Sequence, residues 1–359
     1  MVVHDNPDNV GAEEMEMKTK TNTNTTPPPQ TPLLKSAPPP WHAVAFLVLQ
    51  LSLFFKIAPS MHSLDDIATL ETLTHRIFPD LIDIRTLGCL RAIMAIVIFG
   101  TSIYTVFLDR DGFEIDTSYF PNSKLRKATF HLSGWKSLAP FTHVSWIMLG
   151  FAFALNSMVC FDWFGVVDDD DDDDDEEHAD SIFSWTKRLA LITWEIAAPA
   201  AFLTSMVVTY VIIPGAISTS KANACDPGEL DLFHTRTLLM HNANIVFCFV
   251  EICLLGGLPV TLSHVALAPL YGIVYIVVAW NTTSLYANEK DGPQFLYNFF
   301  DTTLGTTTTI ALLALLVVLM VGYLVMFKVL DILDSMGGGM FVHFVATITL
   351  SWTTCRMRP

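Results

Sequence analysis

The sequence predicts an all-α, multipass transmembrane helix bundle of six to seven spanning helices, and three observations predict it. Hydrophobic residues make up 52% of the chain and charged residues 16%, with a mean hydropathy of +0.45, too apolar for a domain wetted on all sides. Apolar runs approaching or exceeding the roughly 17 to 25 residues needed to cross a bilayer recur along the chain. The net charge of -16 is dominated by one run, Asp168 to Asp175 with Glu176 and Glu177, which reads as a solvated loop. Membrane lipids are therefore the expected surroundings and partners, and nucleic acid is not.

The elements follow in order. Residues 1–40 are rich in Thr, Asn and Pro and end in Pro38-Pro39-Pro40, too polar to offset the entropy of ordering, so a disordered tail is expected. Residues 41–58 form the first membrane helix, spanning or interfacial, with Lys56 placed to snorkel. Residues 59–85 carry Asp65, Asp66, Glu71 and Arg76 and read as a polar, partly helical loop.

The bundle proper occupies 86–333. Leu87 to Leu108 is a clear span with Arg91 near one end, and 109–138 is a polar, partly basic stretch. Pro140 to Val167 is the third helix, and the acidic loop 168–180 leads to a fourth, Trp185 to Ile213, with Glu195 and Pro199 inside it. Thr237 to Leu255 is the fifth, and Gly256-Gly257-Leu258-Pro259 turns the chain into the sixth, Val260 to Trp280. Thr307 to Leu330 is the most apolar span. In 334–359, a Gly-rich turn precedes Met340 to Trp352, too short to cross and expected to be re-entrant or interfacial.

Six cysteines show no CxxC pair or metal-ligand spacing, so neither a disulfide framework nor a metal site is indicated. Polar residues inside the apolar runs are more informative, because ionisable groups at membrane depth face a bundle interior or a cavity. On the fifth helix His241, Asn244, Cys248 and Glu251 share one face. Counting spans makes the third and fifth helices parallel, which puts Thr142 and His241 at similar depth. Tyr275 and Tyr210 reach about the same level. On the opposite side, Glu251 and His264 are expected to approach each other across the Gly-Gly turn. Glu195 and Asn156 lie deeper.

Two polar layers result. In the first, a Thr142 hydroxyl beside a His241 base has the makings of an activated nucleophile, and Asn242 or Asn244 could donate to an oxyanion. Glu251, His264 and Glu195 form the second, read as structural links between helices. A haem would need two histidines at matching depth on facing helices, which His241 and His264 are not, so no cofactor is expected.

The residues Phe141-Thr142 with Trp146, then His241, Glu251, His264, Tyr271, Tyr275 and Trp280, resemble the androgen-induced (FAR-17a) family, which includes the androgen-dependent TFPI-regulating protein, and the related rolling stone protein. The former are multipass enzymes that hydrolyse fatty acid esters of hydroxy fatty acids with a Thr nucleophile and a His, and the resemblance places those roles on Thr142 and His241. His241-Asn242-Ala243-Asn244 and Tyr297 to Asp301 sit closer to the rolling stone type. That type implies a non-catalytic role in membrane interaction or signalling.

Overall fold

Pro40 has no N–H to contribute, but its carbonyl accepts from Ala43 N–H, so a helix starts at Trp41 directly after the proline run. In the computed structural model this is α1, Trp41–Ile57. Pro59 ends it, and the chain bends by 55° into α2, Met61–Ile67, whose first turn is closed by Ser60 Oγ accepting from Ser63 N–H. A short α3, Leu70–Leu73, follows. The structure describes residues 34, 36–109, 111–117, 119–125, 128–161, 173–222, 235–286, 293–336 and 339–356, all within the unit Leu34–Pro359. The expected tail through Leu33, the side chains of the acidic run and Gly337-Gly338 lie outside the described residues.

Among the described residues five helices are long and apolar enough to cross a bilayer, six if the bent α1–α2 pair is one span. They are α4 (Ile84–Leu108), α5 (Phe141–Cys160), α6 (Ile182–Gly215), α8 (Leu262–Asn281) and α9 (Thr306–Ser335). The chain is an integral multipass membrane protein. The expected fifth span falls on a shorter apolar helix, α7 (Leu239–Leu254), which runs on without a break from a helical turn at Thr235–Leu238. It packs beside α10, Met340–Thr354, the terminal segment expected to be re-entrant or interfacial. Two shorter apolar helices thus lie together.

Capping and small residues explain the helix arrangement. Asp83 accepts from Thr86 N–H at 2.6 Å and caps α4; that bond holds its carboxyl below the usual carboxylate range. A β-carbon at Gly88 would fall 2.9 Å from Cys160 Cβ, and one at Gly150 2.7 Å from Ile98 Cγ2. These contacts at opposite ends make α4 and α5 antiparallel and closely packed. Asn156 Nδ2 donates to Ala190 O, and Phe153 lies 6.0 Å from Trp194, so α5 and α6 are antiparallel too. Ser205 Oγ donates to His241 O and Trp194 Nε1 to Leu258 O, which runs α7 against α6. It follows that α5 and α7 are parallel.

The polar stretch 109–138 contains a feature that its charge obscured. Phe113–Thr117 (β1) pairs antiparallel with Ala128–Leu132 (β2), Phe113 opposite Leu132 and Ile115 opposite Phe130. Alternation in Phe-Glu-Ile-Asp-Thr and Ala-Thr-Phe-His-Leu puts the apolar set on one face. Phe130 and Leu132 are buried against Leu296, so the hairpin covers one end of the helices.

The second polar layer differs from expectation in its pairing. Glu251 and His264 each bond another group. Arg91, fully buried, sends Nη2 to Glu251 Oε1 at 2.6 Å and Nε to Oε2 at 3.2 Å, a two-pronged fit that only a guanidinium provides. Its Nη1 donates to Leu73 O at 2.7 Å and lies 3.2 Å from Cys160 Sγ. His264 instead lies 2.6 Å from Glu195. A β-carbon at Gly256 would overlap the Arg91 guanidinium, which explains the glycine at the turn.

Breaking one side of this pair leaves a charge buried with no counter-ion. Glu251→Ala is expected to lower stability by about 3–5 kcal/mol in thermal unfolding of the detergent-solubilised chain. The double change Arg91→Met, Glu251→Leu should recover much of that loss. Equal stability of Glu251→Ala and wild type would contradict the pairing.

Candidate functional site

The first polar layer is assembled by helices that meet at one end of the bundle. Thr142 is the second residue of α5, within the first turn after a start fixed by Pro140. Its hydroxyl makes no hydrogen bond to His241 among the described residues. Phe141 N–H donates to Tyr297 Oη at 3.1 Å, and the Phe141 ring lies 5.0 Å from that of Tyr275, so the start of α5 is held from two sides. Tyr275 in turn donates its hydroxyl to Ala139 O at 2.7 Å.

His241 sits in a π turn, Leu239–Ala243, that opens α7. Such widened turns insert a residue into the helix and recur at functional sites. Phe247 stacks on Trp146 at 5.9 Å and meets Phe153 edge-on at 6.4 Å, so it lies between the levels of those residues on parallel α5. Six residues earlier, His241 falls level with the start of α5 and hence with Thr142.

The buried polar atoms of this layer are unevenly satisfied. Asn242 is fully engaged: its Nδ2 donates to Arg356 O at 3.0 Å and its Oδ1 accepts from Arg356 N–H at 3.4 Å. That ties the end of α10 to the π turn and leaves Asn242 poorly placed for an oxyanion. Asn244 is completely buried, and among the described residues neither of its amide atoms has a hydrogen-bond partner. Nδ1 of His241 and Oγ1 of Thr204 are buried and likewise have no partner among the described residues. Protein interiors rarely tolerate such groups unless water or a ligand meets them.

A cavity of about 700 Å³ opens beside this layer, a volume typical of small-molecule sites. Thr142, Thr204, Tyr275 and Tyr297 line it among a mostly apolar set, with Ile115 and Thr117 of the hairpin forming part of its wall. Thr117 is held there by donating to Leu296 O at 3.0 Å. Val207, Val211 and Ile212 of α6 and Val318 of α9 both line the cavity and are exposed on the outside of the bundle. The mouth therefore opens sideways, between two membrane helices. His241 is not among the lining residues.

Of the residues expected in the site, Thr142 and Tyr275 face the cavity, while His241 and Asn244 lie in the same layer behind it. Glu251, His264 and Glu195 belong to the opposite end. Thr204 is the member that sequence reasoning missed; a threonine inside a long apolar helix usually bonds its own backbone, and only the fold reveals that this one does not. Among the described residues no group of three or more His, Cys, Asp or Glu is placed to hold a metal ion.

Fold and site together define an integral multipass membrane protein with a largely apolar cavity beside its first polar layer. No family model, no curated protein and no solved structure matches the chain.

The two asparagines should respond oppositely to loss of their amides. Asn244→Leu removes two unsatisfied atoms and is expected to leave stability unchanged or raise it by about 1–3 kcal/mol. Asn242→Leu strands the Arg356 backbone groups and should lower stability by a similar amount. Thermal unfolding of both variants in detergent checks the contrast, and a destabilised Asn244→Leu would show that Asn244 is already paired.

Proposed function

We propose that the chain is an integral membrane hydrolase of lipid esters, of the type that cleaves fatty acid esters of hydroxy fatty acids. The observation that carries this reading is a hydroxyl, that of Thr142, on the wall of an apolar cavity whose mouth lies between the lipid-facing flanks of α6 and α9. A lipid tail can enter there without crossing water. The likeness of Phe141-Thr142 and His241 to the Thr and His of the androgen-induced family supports it further.

The reaction assigns one task to each group. Thr142 Oγ1 attacks the ester carbonyl carbon while His241 takes the hydroxyl proton. The C–O bond to the alcohol breaks as His241 returns that proton to the departing oxygen. Water then cleaves the acyl-threonine, giving its proton to His241 and restoring Thr142. Thr142 and His241 share no hydrogen bond among the described residues, and a catalytic hydrogen bond can close only once substrate is in place.

The same missing bond favours a second reading, a non-catalytic lipid-binding protein of rolling stone type. In that case the cavity holds a lipid and no chemistry occurs at Thr142.

Turnover of long-chain lipid esters by the purified chain separates the two. Thr142→Ala and His241→Ala should each reduce it by about 10²- to 10⁴-fold without loss of folding. Ala314→Trp, placed at the cavity mouth, should impair long-chain esters more than short ones. Undiminished turnover in either Thr142→Ala or His241→Ala rules out the assignment of that residue.

A further inference from the structure

At the other end of the bundle from Thr142, three side chains stand in an order that the structural role of their layer does not require. Ser63 Oγ lies 3.2 Å from His264 Nε2. The other ring nitrogen, Nδ1, lies 2.6 Å from Glu195 Oε2. Since an ionised carboxylate only accepts, the proton of the neutral ring belongs on Nδ1, and Nε2 is left to accept from the serine hydroxyl. We infer that Ser63, His264 and Glu195 form a nucleophile–base–acid relay, an acyl-transfer site for carboxylic esters of membrane amphiphiles, separate from the Thr142 layer.

The surroundings suit such a relay. Glu195 and His264 are completely buried, while Ser63 is partly exposed, so the acid is shielded and the nucleophile is reachable. Glu195 Oε1 accepts from Thr261 N–H at 2.7 Å and lies 3.1 Å from the Tyr323 hydroxyl, which fixes the carboxylate and compensates its charge. Tyr323 is anchored by Thr261 O at 2.8 Å. The imidazole therefore has one rotamer and one tautomer available, the condition for an oriented base.

Ser63 is positioned as firmly. Its N–H donates to Ser60 Oγ at 3.1 Å, Leu64 beside it is buried in the core, and Asp65 forms two bonds of 2.5 and 2.9 Å with Arg188 at the start of α6. The 55° bend between α1 and α2 is what lays this helix over the end of α6 and α8.

Location selects the substrate class. His62, Asp65 and Asp66 are exposed on α2, and Arg188 lies 5.0 Å from the Trp185 ring. Exposed charges beside an indole mark the membrane–water boundary. Ester carbonyls of amphiphiles reside there, and water for the second half-reaction is at hand. Nine residues of α6, about 13 Å, separate Glu195 from Thr204, so one substrate carbonyl cannot serve both sites.

The chemistry balances with water as the co-reactant. Ser63 Oγ bonds to the carbonyl carbon and its proton passes to His264 Nε2. The carbon–alkoxy bond breaks, and the same proton leaves on the alcohol. Water then attacks the acyl-serine, its proton passing through His264 Nε2 to Ser63 Oγ while the free acid departs. Ser63 and His264 are the catalytic residues here, and Glu195 positions the ring.

The test uses the full chain in lipid nanodiscs, a fluorophosphonate probe, and mass spectrometric mapping of the labelled peptide. Label is expected on Ser63. Ser63→Ala should abolish it and, in a Thr142→Ala background, cut hydrolysis of p-nitrophenyl butyrate about 100-fold or more at an unchanged melting temperature, whereas Thr142→Ala alone should leave the Ser63 label intact. Ser63→Cys provides a second handle, expected to react with iodoacetamide faster than the exposed Cys89. Glu195→Gln should slow labelling of Ser63, and Glu195→Asp should restore part of the rate at equal thermal stability. A folded wild-type chain without label on Ser63, or butyrate turnover undiminished when Ser63→Ala is added to Thr142→Ala, overturns the relay and leaves the three residues as a helix link only. Neither outcome bears on Thr142, whose assay uses long-chain esters.

Discussion

A carboxylate inside an apolar bundle must have its charge compensated, and that constraint organises this molecule. Glu251 and Glu195 are both completely buried, and transferring an isolated carboxylate there would cost several kcal/mol even after relaxation. Arg91 compensates the first, bringing α3, α4, α5 and α7 to one point through Leu73 O, Cys160 and Glu251. The second is compensated by His264 and the Thr261 N–H, with the Tyr323 hydroxyl 3.1 Å away. Gly256 is confined to the smallest side chain because the Arg91 guanidinium occupies the space beside it. The packing at this end is the consequence of two charges that cannot be left alone.

The opposite end follows a different logic. Asn244, His241 and Thr204 carry buried polar atoms that nothing among the described residues satisfies, next to a cavity of about 700 Å³. Where the charged layer spends its hydrogen bonds on stability, this layer withholds them, and unspent hydrogen-bonding capacity in an apolar setting is what allows a site to discriminate among ligands. The π turn at Leu239–Ala243 and the one at Val208–Ile212 lie on this side. The second of these contributes Val208, Val211 and Ile212 to the cavity wall.

How much of this was legible beforehand depended on whether the signal was local. The long apolar runs gave α4, α5, α6, α8 and α9, because membrane thickness sets a length that a sequence displays directly. At α7 the long helix is visible only when the apolar stretch Leu239–Leu254 is joined to the turn Thr235–Leu238 before it. The hairpin was written in plain alternation from Phe113 and from Ala128, yet the charges between drew attention away from it. Partner choice was not legible at all. Spacing placed Glu251 and His264 on facing ends of adjacent helices, and nothing in one sequence says that Arg91, 160 residues away from Glu251, would be the stronger claimant. A guanidinium with five donors satisfies a buried carboxylate more completely than an imidazole can, which is the physical reason the pairing went that way.

That preference has a consequence for chemistry. Because Glu251 is taken by Arg91, His264 is left to Glu195, which lies deeper and holds the ring by Nδ1 alone. Its Nε2 then points toward α2 and Ser63, a residue in a segment whose charges read only as loop. Had Glu251 captured His264 across the Gly-Gly turn, Arg91 would have been left without its counter-ion, and Glu195 would have lost its one buried histidine partner. The ion pair that secures the fold is thus also what frees an imidazole to face a hydroxyl.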